Sequence, residues 1–104
     1  MTRGTTPSYI ISFKEEIQFD SVDTWSVTLK QIPYEVNIDD PEIDLVEKTL
    51  TVTLTQEQTL GFRKGTAELQ VRGVFADGTA FASNIGCVPV YPVLDERVLP
   101  EVEP

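Results

Sequence analysis

An all-β sandwich is predicted by three observations on this sequence of 104 residues. Apolar and polar residues alternate at period two along most of the chain, the signature of strands that bury one face. Turn residues recur at intervals of about ten positions. No stretch carries the spacing of a long amphipathic helix. Together these imply about seven or eight short strands with at most one helical turn. The chain length points to a single domain, placed over residues 1–94 and followed by a Pro-rich acidic tail over residues 95–104.

Taken in order, Tyr9, Ile11 and Phe13 alternate with Ser8, Ile10 and Ser12, and Ile17 and Phe19 continue the odd-numbered pattern after Lys14-Glu15-Glu16. Trp25, Val27 and Leu29 share one face of the next strand, with Thr24, Ser26, Thr28 and Lys30 on the other. That company assigns Trp25, the sole tryptophan, to the core. Tyr34, Val36 and Ile38 alternate with Glu35, Asn37 and Asp39. Asp39-Asp40-Pro41 is a turn, because proline fixes its own φ and drives the preceding residue out of the helical region. A short segment from Ile43 to Val46 is expected to pair with the next strand through a tight turn near Glu47-Lys48. The run TLTVTLT at 49–55 is the cleanest strand, with Leu50, Val52 and Leu54 on one side and threonines on the other. Thr55 and Gln58 then fit a capping box, which predicts one helical turn near residues 56–61 with Leu60 and Phe62 tucked under the sandwich.

The stretch LQVRGVFADGTAF, residues 69–81, reads as a hairpin around Asp77-Gly78. A two-residue loop would set Leu69 on a face with Gly86 and leave both faces mixed. A three-residue loop, Ala76-Asp77-Gly78 with Gly78 left-handed, sets Leu69 with Ile85, Ala67 with Cys87, Gly73 with Phe81 and Val71 with Ser83. A one-residue slip exchanges the faces, so hydrophobic parity selects the second register. It places Cys87 in the interior as a small apolar group. In the proline-broken ending, the first part is expected to add an edge strand, and residues from about Asp95 onward to form an arm.

Composition narrows function mainly by exclusion. There is no histidine and one cysteine, which removes Ser-His-Asp and Cys-His catalysis, the usual zinc sites and any internal disulfide. Phosphate-binding and dinucleotide glycine motifs are absent from the sequence. The net charge of −9 disfavours nucleic acid and anionic membranes as partners. No apolar run approaches the length of a membrane span, and no secretory signal is visible, so a protein kept in a cytosol, or leaving by a route other than the general secretory one, is expected. Asn37, Asp39, Asp40, Glu42 and Asp44 form the one cluster of hard oxygen ligands, a weak calcium candidate that lacks an EF-hand glycine. A sandwich of this size offers little room for a glycosidase cleft between paired carboxylates. No enzyme activity and no cofactor are expected.

The segments TRGTTP at 2–7, LTVTLTQEQTLGF at 50–62 and ADGTAFASNI at 76–85 resemble small proteins encoded in phage and prophage gene clusters of Gram-positive bacteria. The resemblance implies an immunoglobulin-like sandwich, made in the host cytoplasm, with a place in the virion as a tail, baseplate or decoration component. It implies other virion or prophage proteins as partners, and transfers no functional residues. Threonine-rich faces and an extended tail suit homo-oligomerisation through edges or arms. The rival reading is a surface-recognition module for a cell-surface glycan or protein, which needs an exposed aromatic residue or a polar loop cluster.

Overall fold

The computed structural model describes residues 1–14 and 16–100 and is an all-β sandwich. Eight strands run in the order β1 (Ser8–Ser12), β2 (Val22–Gln31), β3 (Tyr34–Ile38), β4 (Glu42–Asp44), β5 (Thr49–Thr53), β6 (Gly65–Phe75), β7 (Ala80–Ala82) and β8 (Gly86–Val90). One helical turn, α1 (Gln56–Leu60), joins β5 to β6. The smaller sheet has the order β1-β5-β4. The larger has β3-β2-β6, with β7 and β8 both pairing with β6 at successive positions along it. All pairings are antiparallel.

The chain thus passes from one sheet to the other between β1 and β2, between β3 and β4, and through α1 between β5 and β6. Among the described residues no strand stands beside β1 on the side away from β5. Residues 1–3 instead cross to the larger sheet, where Thr2 bridges Tyr91 in parallel. Tyr91 N–H donates to Met1 O at 2.8 Å, and Arg3 N–H donates to Tyr91 O at 3.1 Å.

The core lies where period-two patterning puts it. Trp25, Val27 and Leu29 from β2, Leu50 and Val52 from β5, and Ala67 and Val71 from β6 are buried, with Leu54 and Phe62 on either side of α1. Trp25 is 4% exposed and lies among Phe13, Phe19 and Phe81. The capping box is formed as expected: Gln58 N–H donates to Thr55 Oγ1, and Thr55 N–H donates to Gln58 Oε1. Phe62 is fully buried, whereas Leu60 is half-buried. Gln31 was not anticipated as an interior residue. It follows Leu29 at inward parity, and its amide accepts from Arg63 N–H at 2.7 Å and donates to Arg63 O at 2.9 Å. Ile17 and Phe19 do not continue a strand. Phe19 begins a 3₁₀ turn over Phe19–Ser21 and reaches the core from there.

The hairpin carries the main correction. Its tip has the three-residue loop: Gly78 has φ 91°, Gly78 N–H donates to Phe75 O, and Gly73 stands opposite Phe81. Thr79 N–H donates to Asp77 Oδ1 at 2.9 Å and holds that carboxyl below its usual range. Farther down the register slips by one residue. Ser83 N–H still donates to Val71 O, but Val71 N–H donates to the Ser83 hydroxyl at 3.0 Å rather than to a backbone carbonyl. Beyond that point Leu69 pairs with Gly86, Glu68 with Cys87 and Ala67 with Val88. The slip exchanges the two faces. Val88 and Val90 are therefore buried, while Ile85 and Cys87, both expected inside, are exposed.

The expected edge strand in the proline-rich ending is β8. Residues 95–100 lie along α1 and the N-terminal segment. Leu99 N–H donates to Gln56 Oε1, Gln56 Nε2 donates back to Leu99 O, and Arg3 Nη1 donates to Glu96 Oε1 at 2.5 Å. The rest of the arm, residues 101–104, lies outside the described residues.

Candidate functional site: an open sheet edge

Each end of a sandwich exposes strand edges whose unpaired N–H and C=O groups can template another strand, and charge, brevity or cover normally blocks them. At one end stand β3 and β4. Here lie the five calcium candidates, and the fold does not gather them. Asn37 sits on β3 and accepts from the Thr28 hydroxyl at 2.7 Å. Asp39 accepts from the Ser26 hydroxyl at 2.9 Å. Asp40 lies in the following loop, and Glu42 and Asp44 are on β4 in the other sheet. Asp44 Oδ1 accepts from Val46 and Glu47 N–H, which closes the turn into β5. Among the described residues no group of three or more Asp, Glu, Cys or His side chains could hold a metal ion. With Glu35, these residues make a carboxylate-rich end.

The opposite end differs. β7 has three residues, β8 contains Pro89, and its far end is covered by residues 1–3. β1, sequence SYIIS, has five residues, no charge, no glycine and no proline. Among the described residues it pairs with β5 alone. Its outward backbone groups can be assigned. Leu54 N–H donates to Pro7 O at 3.0 Å, so residues of Pro7's parity, Tyr9 and Ile11, turn their backbone groups toward β5. Ser8, Ile10 and Ser12 then turn theirs away, toward the free edge. The side chains alternate in the other sense: Tyr9 and Ile11 pack against the core, and Ile10 is 74% exposed on the outer face opposite Thr51.

Beside Ile10 lies a shallow groove lined by Thr49, Thr51, Ile43, Leu45 and the carboxylates of Glu42, Asp44 and Glu47. Trp25 is in the core, so the sole tryptophan is not at the surface, where Tyr91 is the exposed aromatic. No helix among the described residues is long and apolar enough to cross a membrane. The geometry therefore offers strand addition at β1, with backbone groups supplying affinity and Ile10 a local apolar contact. The sequence did hold one signal for this edge, an isoleucine at the polar parity between Ser8 and Ser12, although Ile10 alone does not announce that its strand lacks a neighbour.

No family model, curated protein or solved structure matches this chain.

Proposed function

We propose that the chain is a non-enzymatic structural or assembly protein of a phage or prophage particle, a tail, baseplate or decoration component that works through contacts with other virion proteins. The observation that carries this reading is the uncharged, unpaired edge of β1 in a sandwich whose other edges are carboxylate-bearing, short or covered. Such an edge is a hazard unless something occupies it. The phage assignment draws on the three segments that resemble prophage-encoded proteins. Two of them meet in the fold: in the N-terminal segment, Thr5 O accepts from the Thr59 hydroxyl and Arg3 Nη2 donates to Leu60 O. On this reading the protein is made in the host cytoplasm and enters the particle from there.

The test is to purify particles from a producing culture and quantify the chain in head, tail and baseplate fractions. A fixed number of copies per particle, with assembly stalled when the gene is deleted, is the expected result. Particles assembled normally without the chain would overturn the proposal.

A further inference from the structure

We infer that β1 pairs antiparallel with β1 of a second copy, about a two-fold axis beside Ile10. The inference rests on the reading of β1 as the contact edge and names the occupant. Three observations point to a copy of this same chain.

The first is register. With Ile10 opposite Ile10 of the copy, Ser8 falls opposite Ser12 and Tyr9 opposite Ile11. Ser8, Ile10 and Ser12 are the residues whose N–H and C=O face outward, so each exchanges both bonds with its opposite number. On the outer face the two Ile10 side chains meet, flanked by serines. On the inner face each half-buried Tyr9 packs on an Ile11, extending both cores across the join. An isologous interface requires this kind of self-complementarity.

The second is charge. A chain of net charge −9 repels its own copy, so self-contact needs an edge without carboxylates, and β1 carries none. A basic partner would instead be drawn to the end that holds Glu35, Asp39, Asp40, Glu42 and Asp44.

The third is distance. With strands ~4.8 Å apart, the two copies of β4 in the joined sheet lie ~24 Å from each other, well beyond the screening length of ~8 Å at physiological salt. The carboxylates on β4 therefore do not oppose the pairing. The product is a continuous sheet, β4-β5-β1 joined to its two-fold mate.

Sedimentation of the purified chain over a range of concentrations tests this. The wild type should reach twice the mass of one chain. Ile10→Lys changes an exposed side chain, so it should keep the circular-dichroism spectrum while weakening self-association at least about tenfold, as two ammonium groups are forced together. Register is read by cross-linking in a Cys87→Ser background. A mixture of Ser8→Cys and Ser12→Cys chains should form disulfide dimers, while Ser8→Cys alone should not, since two Ser8 positions would sit ~14 Å apart. A dimer indifferent to Ile10→Lys overturns the inference. A monomer that binds a virion protein in an Ile10-sensitive way overturns self-pairing but keeps the edge as the assembly site. Loss of both kinds of association overturns both readings.

Discussion

Gly73 shows how one side chain, or its absence, shapes the core. A methyl added there would meet the Phe81 ring at 2.5 Å and Thr24 O at 3.1 Å, and Phe81 is itself fixed edge-on against Trp25. Gly73→Ala should therefore cost ~1–3 kcal/mol in denaturant unfolding, a penalty of overpacking rather than of lost contact. Tyr34 answers to pH. Its hydroxyl donates to Gln58 O at 2.9 Å, and desolvation, then the nearby Glu57 carboxylate, raises its pKa above the usual tyrosine value. Burial raises Tyr9 in the same sense. A raised folded pKa means that the stability is fully present below the unfolded value of ~10 and is lost as pH rises through the folded one. The melting temperature should accordingly hold to about pH 10 and fall above it. Tyr34→Phe should flatten that alkaline fall while costing ~0.5–1.5 kcal/mol at neutral pH for the lost hydrogen bond.

At the scale of elements, the register slip between β7 and β8 is the decisive feature. Parity correctly chose the loop at Ala76-Asp77-Gly78, because residues close to a turn inherit its register. Carrying that register on to Cys87 failed, because one serine interrupts it. Ser83 was the single polar residue on an otherwise apolar face, and its hydroxyl takes the Val71 N–H that a carbonyl would have accepted. Ser83→Ala should leave that half-buried N–H without its partner and cost ~1–3 kcal/mol, while Ser83→Thr should retain most of the stability. Strand β2 and α1 were legible in the sequence because their signals are local: alternation around Trp25 for the one, Thr55 with Gln58 for the other. Gln31 shares the inward parity of Leu29 but is polar, so its interior place rests on its bonds to Arg63, and Phe19 shares the apolar pattern but reaches the core from a 3₁₀ turn rather than a strand.

For the whole molecule, charge and edge placement work together. Carboxylates accumulate at the end where β3 and β4 lie, and the opposite end leaves β1 neutral and open. Because each copy carries a charge of −9, residual long-range repulsion should weaken β1 pairing at low ionic strength. Raising sodium chloride from ~20 mM to ~300 mM shortens the screening length from ~20 Å to about 6 Å. Sedimentation should then show tighter self-association as salt rises. A dimer that loosened with salt would point instead to ion pairs between opposite charges at its interface.

Alternation is a property of neighbours along the chain, so the sequence by itself determined which side chains of β2 and β5 turn inward, the helical turn after β5, and the absence of histidine-dependent chemistry. Strand order and register depend on partners far away in sequence, and these only the tertiary structure decided. A single extra residue near Ser83 sent Cys87 and Ile85 outward and brought Val88 and Val90 in. With residues 1–3 crossing to the larger sheet, β1 has β5 as its one neighbour among the described residues. Every residue of that edge was visible beforehand, but a strand becomes an edge only through the arrangement of all the others.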